Sequence, residues 1–365
     1  MNLRERYLRY MRFEPVDRIP LMEMGVLDDT LERWHAEGLP RWVRDLRNLE
    51  DYLHLDRSWN CNWLPIHEQI YPPFELKVLE ETETDQVISD PMGVVYRQRK
   101  HQQTIPQYIR FPVENEADYD KLLPRLNGKD ARRYPVDFDD ELRWRNERGE
   151  IIGISFQSFF GFPRELMGFE NLCMAFCDQP QLIRQMIADR VQFAKDLFAR
   201  LLATGQLNFV QIWEDMAYKA GPMISPRMVR EFMLPAYKEL ISFFRSGGVE
   251  LIMVDCDGDV RSLLPIWLDA GVDGVHPCEI AANCDPLEFR RRYPHCRLHG
   301  GLDKRVIARG REGVDAELRL IQPLLKEGAY IPSVDHFVPC DISFETYLYY
   351  VERRRELSFN PGMKL

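Results

Sequence analysis

Short apolar runs of β type alternate with longer helical stretches from about residue 150 onward, and this alternation constrains the fold most strongly. Six runs follow one another, namely IIGIS (151–155), NFVQIW (208–213), ELIMVD (250–255), GVDGVH (271–276), CRLHG (296–300) and AYIPSV (329–334). Such alternation predicts a parallel sheet, because a parallel connection needs a crossover that is usually helical. Upstream, RIPLMEM (18–24) and YLHLDRS (52–58) supply two further candidate strands.

Eight strands, each followed by a helix, predict an α/β protein with a single (β/α)8 TIM barrel. The alternative is an open, doubly wound sheet. A dinucleotide site of the Rossmann type is not expected, because no G-x-G-x-x-G sequence follows any of the predicted strands.

Capping residues predict where three of the helices begin or end. One helix is predicted to start near Asp178, because aspartate is a favoured N-cap residue. A second begins at Ser225-Pro226, where a cap residue precedes a proline, and it ends at the glycine pair Gly247-Gly248. A third fills 311–327 and ends at Gly328.

The stretch 60–150 departs from this pattern. Asp90-Pro91-Met92-Gly93 has the composition of a turn and lies between two runs of strand type. We therefore expect a β-hairpin with loops, inserted into one domain that spans 1–365, rather than a second domain.

Composition narrows the range of partners and compartments. The 58 acidic residues outnumber the 48 basic ones and give a formal net charge of -10, which argues against nucleic acid or an anionic membrane as a partner. No apolar run reaches the roughly 18 residues of a membrane helix, and the charged start does not resemble a secretory signal. Eight scattered cysteines without a C-x-x-C pair predict reduced thiols and a cytoplasmic protein.

Polar and ionisable side chains follow almost every predicted strand. In chain order these are Gln157 and Arg164; Glu214, Asp215 and Lys219; Asp255, Asp257 and Asp259; His276 and Glu279; His299 and Asp303; Asp335 and His336. The carboxyl ends of barrel strands converge on one mouth, where the active sites of such enzymes lie. These side chains are therefore candidates for one shared site.

Several of these candidates also have a purely structural explanation. Asp259 is a natural N-cap for the helix that follows it. His299 is as readily a hydrogen-bonded core histidine as a functional one. Glu214 and Asp215 could be a cap pair, although Trp213 places a large aromatic ring beside them at the predicted mouth.

The pair Asp255 and Asp257 carries the strongest signal from spacing alone. Side chains at i and i+2 of a strand point the same way, so both carboxylates can face one metal ion. Crowded carboxylates otherwise raise one another's pKa. His336 follows Asp335 directly, and no helix start nearby explains either residue.

The chain resembles the uroporphyrinogen decarboxylase superfamily, which includes corrinoid-linked methyltransferases. The resemblance is good from about 150 to 357. It is carried by WEDMAYKAGPMISP (213–226), VDCDGD (254–259), HGGLDK (299–304) and GAYIPSVDHFVPCDISFETY (328–347), and by the opening ERYLRYMRFEPVDRIPLME. It implies one (β/α)8 barrel, in agreement with the strand count.

A departure from the family argues against the haem-pathway reaction. True uroporphyrinogen decarboxylases, which this chain resembles, have an early arginine-rich loop that binds substrate carboxylates. Here RIPLMEM is followed by GVLDDTLERW, with no arginine before Arg33. An octa-acid porphyrinogen needs cationic partners, and an acidic mouth would repel it.

A second departure concerns the metal. The methyltransferases that the chain resembles hold catalytic zinc with a His-x-Cys pair and a later Cys. By motif, these positions correspond to Asp255-Cys256-Asp257 and to the neighbourhood of His336. The resemblance therefore implies Asp255, Asp257 and His336 as ligands of a divalent metal, with zinc favoured.

The leading hypothesis is metal-assisted methyl transfer between a small, possibly methoxylated substrate and a corrinoid carried by a partner protein. Asp257, Glu279 and His336 are the predicted catalytic residues. The predicted substrate-binding residues are Gln157, Trp213, Glu214, Asp215 and Lys219. A separate corrinoid protein is expected because the chain has no D-x-H-x-x-G signature, and a homodimer is expected from the resemblance.

Two alternatives remain open from the sequence. The same barrel could decarboxylate a small carboxylated or porphyrinogen-like substrate, with Lys219, Arg164 and a protonated His336 binding the carboxylate. It could also be a non-catalytic barrel that binds a ligand, because the thiol ligands of the zinc enzymes are replaced here.

Overall fold

The computed structural model of the chain describes residues 1–59, 62–100 and 106–363. Its helices are α1 (Leu3–Met11), α2 (Asp28–Ala36), α3 (Leu46–Leu53), α4 (Glu116–Leu122), α5 (Phe138–Glu147), α6 (Gly161–Met167), α7 (Phe169–Asp178), α8 (Pro180–Leu202), α9 (Pro226–Met228), α10 (Leu234–Ser246), α11 (Leu264–Ala270), α12 (Pro286–Arg292), α13 (Lys304–Ile307), α14 (Arg311–Glu327) and α15 (Phe344–Phe359). Its strands are β1 (Lys77–Glu81), β2 (Asp85–Ser89), β3 (Val95–Arg99), β4 (Gln107–Arg110), β5 (Gly153–Gln157), β6 (Phe209–Trp213), β7 (Ala217–Tyr218), β8 (Gly221–Pro222), β9 (Leu251–Asp255), β10 (Gly274–Cys278), β11 (Arg297–Gly300) and β12 (Tyr330–Ile331).

A six-stranded parallel sheet forms the centre of the molecule, and its strands are the six runs predicted from the sequence. The order is β12-β11-β10-β9-β6-β5. Trp213 is in register with both Gln157 and Asp255, and Asp255 is in register with His276. The C-terminal ends of neighbouring strands therefore lie at one level.

Isolated parallel bridges continue this sheet at both edges. Trp63 pairs with Gly153 of β5, and Val26 pairs with Val338, which follows β12. The buried segment 19–25 precedes the second bridge without forming a regular strand, so the first predicted strand is represented only by the bridge at Val26. The prediction of a strand at 52–58 was wrong, because Leu46–Leu53 is a helix and the chain reaches the sheet only at Trp63. The (β/α)8 barrel is confirmed.

A buried ion pair joins the first barrel segment to the last. The carboxylate of Glu23 accepts from the Val334 amide at 3.1 Å and from the Tyr350 hydroxyl at 3.1 Å, and it lies 2.9 Å from the Arg354 guanidinium. Glu23 and Arg354 are both almost completely buried. These contacts fix the backbone that leads into Asp335 and His336.

A four-stranded antiparallel sheet of order β1-β2-β3-β4 lies outside the barrel sheet. The predicted hairpin is confirmed in β2 and β3, which are joined by a turn at 90–94 where Gly93 has φ 85°. A positive φ of this size favours glycine. That 60–150 is an insertion into the barrel stays a prediction.

The capping predictions hold at two of three helices. Ser225 caps α9 by accepting from the Met228 amide, and α14 ends at Gly328. The helix predicted to start near Asp178 begins at Pro180, but Asp178 does not cap it, because Asp178 ends α7 and Gln179 is the N-cap residue. In the part of the chain that the structure describes, no helix has the length and apolar character needed to cross a bilayer.

Candidate active site

A cavity of about 520 Å³ opens at the C-terminal ends of the barrel strands. Its lining combines acidic, aromatic and aliphatic side chains with one histidine. The lining residues are Met24, Gly25, Val26, Leu46, Trp63, Gln211, Trp213, Asp215, Asp255, Asp257, His336 and Phe337. Five residues predicted from the sequence meet here, namely Trp213, Asp215, Asp255, Asp257 and His336.

Asp257 and His336 form an ion pair on the cavity wall. The Oδ2 atom of Asp257 lies 3.3 Å from Nε2 of His336, and both side chains are partly exposed. Burial lowers the pKa of His336, but the hydrogen bond and charge of Asp257 outweigh burial and raise it above its ordinary value. Burial likewise raises the pKa of Asp257, but His336 and then Lys304 outweigh it and leave that pKa below its ordinary value. The pair therefore favours a protonated imidazole beside an ionised carboxylate.

Asp215 lies next to this pair in a strained backbone conformation. Its φ is 44°, a region that aspartate adopts more readily than most residues but still at a cost. Its Oδ1 accepts from the Asp257 amide at 3.2 Å, and the Arg164 guanidinium lies 3.6 Å from its Oδ2. Arg164 also stacks over Trp213, at 4.8 Å from the ring centroid. Arg164 thus fixes both Asp215 and the aromatic wall.

Asp255 is the most deeply buried acid of the cavity. Its Oδ2 accepts from Nε2 of Gln211 at 2.7 Å, and its Oδ1 lies 3.9 Å from Nδ1 of His276. Burial raises the pKa of Asp255 well above its ordinary range, and the charges of Asp215 and Asp257 raise it further. Burial therefore disfavours the ionised form of Asp255.

Two of the three acids that line the cavity have a basic partner. Asp257 pairs with His336 and Asp215 with Arg164, and burial raises the pKa of Asp255. Among the described residues that line the cavity, His336 is the only basic side chain. The site provides hydrogen-bonding groups and apolar walls, but no free positive charge for a substrate carboxylate.

Two histidines at strand ends lie beneath the cavity rather than in it. His276 and His299 are each about 1% exposed, and the Tyr7 hydroxyl lies 3.2 Å from Nε2 of His299. Burial lowers the pKa of His276 to about 3. Both imidazoles are neutral parts of the barrel interior, which matches the core alternative considered for His299.

Gln157, Lys219 and Glu279 are not among the described residues that line the cavity, so the predicted substrate-binding role of Gln157 and Lys219 and the catalytic role of Glu279 stay predictions. Gln157 accepts from Gln69 at its side chain, and Lys219 lies on the exposed turn between β7 and β8. Glu279 accepts from the Gly258 amide at 3.3 Å and lies 3.9 Å from Nζ of Lys304. The charge of Glu279 still raises the pKa of His336, so Glu279 influences the cavity without lining it.

Glu214 also does not reach the cavity. It is fully buried, and its carboxylate accepts from the amides of Phe159, Phe160 and Gly161 and from the Tyr237 hydroxyl. The structure gives this carboxylate other partners, and the predicted substrate contact stays a prediction. The acid instead binds the start of α6, where unpaired amides favour a carboxylate.

Replacing Glu214 with glutamine is therefore expected to lower stability, not substrate affinity. One carboxylate oxygen becomes an NH2 group that faces donors, and an unsatisfied buried group costs about 1–3 kcal/mol. Denaturant unfolding should show this loss of free energy of unfolding, with the KM of the folded enzyme unchanged. A raised KM at unchanged stability would restore the substrate role.

Sequence reasoning missed part of the lining. Gln211 carried a signal, because it is a polar residue at i−2 from Trp213 inside an apolar strand, and such a position faces the same side as Trp213. Gly25 carried none. A Cβ on Gly25 would lie 2.6 Å from the Phe337 ring, so the glycine makes room for an aromatic wall contributed by a distant segment.

The donor set does not fit zinc in the arrangement observed. Within the described residues, no three His, Cys, Asp or Glu side chains are grouped so that they could hold a metal ion. Asp257 and His336 bind each other, and Asp255 binds Gln211. The predicted set of Asp255, Asp257 and His336 therefore shares a cavity without converging on a common point. Zinc at these residues stays a prediction.

Comparison with known proteins places the chain in a family. The sequence profile described as uroporphyrinogen decarboxylase (URO-D) matches residues 87–357. The chain belongs to the uroporphyrinogen decarboxylase family. No curated protein gives a significant match.

Solved structures support the same fold for this uroporphyrinogen decarboxylase family member. A methyltransferase from Methanosarcina mazei is similar over 98% of this chain and 99% of its own, with TM-score 0.60 and 16% identity. A putative vitamin-B12 independent methionine synthase from Listeria monocytogenes covers 94% of this chain and 97% of its own at TM-score 0.40 and 10% identity, a likeness too low to use. The family supports an enzyme, and the choice of reaction depends on the cavity.

Proposed function

We propose that this enzyme transfers a methyl group from a small, uncharged methoxylated donor to a corrinoid carried by a partner protein. The observation that carries the proposal is the cavity itself. It has aromatic walls, an acid (Asp215) paired with Arg164, and one partly exposed pair, Asp257 and His336, at the strand ends. These features suit a neutral ether better than an anionic substrate.

The aromatic walls would bind the body of the donor. Trp63, Trp213 and Phe337 line the cavity with flat apolar surfaces. Aromatic rings favour offset or edge contacts with one another, and such contacts add to the burial of apolar surface. A methoxylated aromatic ring of modest size therefore fits this lining.

The polar groups would orient the ether oxygen. An ether oxygen accepts hydrogen bonds but donates none, so it needs a donor on the protein. His336 is the basic side chain among the described lining residues, and Asp257 beside it raises its pKa. The methyl carbon would then face the open mouth, where a methyl acceptor on another protein can reach it.

Decarboxylation of a polyanion is disfavoured by the same cavity. A substrate carboxylate would lie near Asp215 and Asp257, and the nearest guanidinium, Arg164, is already paired with Asp215. An uncompensated carboxylate in a partly desolvated site carries a large cost. This argument extends the sequence argument against a porphyrinogen.

A pair of ligands of similar size tests the choice between the two reactions. Calorimetric titration with 2-methoxyphenol should show binding at least about tenfold tighter than with 2-hydroxybenzoate, since tenfold corresponds to only about 1.4 kcal/mol. Tighter binding of the benzoate would contradict the proposal and favour a decarboxylase.

The pH dependence of methyl transfer should follow the Asp257–His336 pair. Because Asp257 raises the pKa of His336, the active protonated form persists above the ordinary histidine range and is lost as pH rises through that pKa. In Asp257→Asn, burial without the partner lowers the pKa of His336. The alkaline limb of kcat against pH should therefore move to lower pH. An alkaline limb that stays in place would contradict this assignment.

A further inference from the structure

A second cavity lies between the antiparallel four-stranded sheet and the helices α6 and α7. Its volume is about 850 Å³, larger than that of the cavity at the strand ends, and the two cavities share none of their described lining residues. Two contacts join its sides. The Val113 amide donates to the Leu166 carbonyl at 3.0 Å, and the Phe111 ring packs against Gly168, where a Cβ would overlap the ring. We call this cavity the sheet–helix groove.

Aromatic side chains from both sides line the sheet–helix groove. On the sheet side, the ring centroids of Tyr96 and Tyr108 lie 6.3 Å apart at 71°, and those of Tyr108 and Phe111 lie 5.2 Å apart. Phe169 adds a ring from the start of α7. Tyr108 and Phe169 are 53% and 47% exposed. A patch of exposed aromatic surface in a concave site is typical of a ligand-binding surface.

The same groove is acidic. Arg164 is the base that α6 contributes, but its guanidinium donates to the Asp215 carbonyl at 2.8 Å and stacks over Trp213, so its charge is shared with the barrel cavity. Arg110 is the other base and opposes a cation. The described lining holds twice as many acids as bases, namely Asp90, Glu114, Glu165 and Glu170.

Glu165 shows that the acids of the groove are incompletely compensated. Burial raises its pKa, and the charges of Asp90 and Asp215 add to this, so that Arg164, at 3.7 Å from its Oε1, does not return the pKa to its ordinary value. Burial and then the charge of Asp90 also raise the pKa of Tyr96. The negative potential of Asp90 therefore reaches both an acid and an aromatic ring of the groove.

We propose that the sheet–helix groove binds an organic cation of the quaternary ammonium class. The acids attract the charge, and the ring faces bind the methylated head by cation–π attraction, which is strongest for a cation that has lost its water. A strongly hydrated inorganic cation gains little from the rings, and an anion would be opposed by the carboxylates. The inference concerns a site separate from the barrel cavity and does not depend on the proposed methyl transfer.

Two ligands of the same shape test the role of the charge. Choline and 3,3-dimethylbutan-1-ol differ only in that a positively charged nitrogen is replaced by carbon. Calorimetric titration of the full-length protein should show one choline bound per chain, at least about tenfold tighter than the neutral alcohol. Equal affinities, or no saturable binding of choline, would overturn the inference.

Variants test whether choline binds in the groove. Tyr108→Leu and Glu165→Gln should each weaken choline binding by about fivefold or more, because one removes a ring and the other a charge. Tyr218→Leu and Glu312→Gln make the same changes at exposed positions outside the groove and should leave the affinity unchanged. Circular dichroism of each variant checks the fold.

The barrel cavity provides the remaining control, since it also combines acids with aromatic rings. Asp257→Asn changes that cavity alone and should leave choline affinity unchanged. Choline binding that is lost in Asp257→Asn would place the cation in the barrel cavity and overturn the inference. Unchanged affinity in both Tyr108→Leu and Glu165→Gln would overturn it as well.

Discussion

His336→Gln should reduce kcat for methyl transfer by about 10²–10⁴-fold, the usual contribution of a general acid. Glutamine keeps a polar side chain of similar reach, but it cannot give a proton to the leaving oxygen. The KM for the donor should change little, because the aromatic walls of the cavity are untouched. Steady-state kinetics with 2-methoxyphenol and reduced cobalamin measures both parameters.

The same substitution at an exposed histidine provides the control. His295→Gln lies outside the cavity and should leave kcat and stability unchanged. Circular dichroism of both variants separates a catalytic defect from unfolding. If His336→Gln kept wild-type kcat, the assignment of His336 as the acid would be wrong.

Arg354→Met should lower the free energy of unfolding by about 3–5 kcal/mol, the typical cost of removing one partner of a buried ion pair. Glu23 would lose its only guanidinium partner among the described residues, and the carbonyls of Met22 and Pro332 would lose a donor. The two ends of the barrel sheet would then be held by fewer contacts. Urea unfolding should show a lower midpoint at a similar slope.

Two comparison variants sharpen this test. Arg311→Met removes an exposed pair with Glu345 and should change stability by less than about 1 kcal/mol. The double variant Glu23→Met with Arg354→Met should recover much of the loss, because both buried charges are gone. A single Arg354→Met variant as stable as Arg311→Met would show that the pair does not close the barrel.

The alternation of short apolar runs with helical stretches predicted the parallel sheet, because both patterns are visible in the sequence itself. All six runs from IIGIS (151–155) to AYIPSV (329–334) form strands. The two segments before them were harder to place. The first is followed by a single isolated bridge to the sheet, at Val26. The run 52–58 was misread because its first two apolar residues, Tyr52 and Leu53, belong to α3.

The candidate site was partly predictable for a similar reason. Residues directly at a strand end, such as Asp255 and Trp213, have a position fixed by the register of the sheet. Residues further along a loop do not. Lys219 turns outward on the β7–β8 hairpin, and Glu214 turns inward to the amides of α6. The orientation of such side chains depends on the tertiary contacts of the loop, which cannot be inferred from the spacing of residues in the sequence.

Two cysteines stand at the ends of barrel strands without lining the cavity. Cys256 follows β9 and Cys278 ends β10, and both are buried. A zinc ion stabilises a leaving group as a Lewis acid, whereas a general acid does so by transferring a proton. Under our proposal His336 is that acid, since the hydrogen bond and charge of Asp257 outweigh burial and raise its pKa. Under the same proposal, Asp215 and Asp257 in the lining disfavour a polyanionic substrate.

Analysis of both reaction products tests the central claim most directly. Wild-type protein is incubated with 2-methoxyphenol and reduced cobalamin, and the products are separated by liquid chromatography. The account predicts methylcobalamin and catechol in equal amounts, with neither formed above background by His336→Gln. Equal product yields from the wild type and His336→Gln would contradict it.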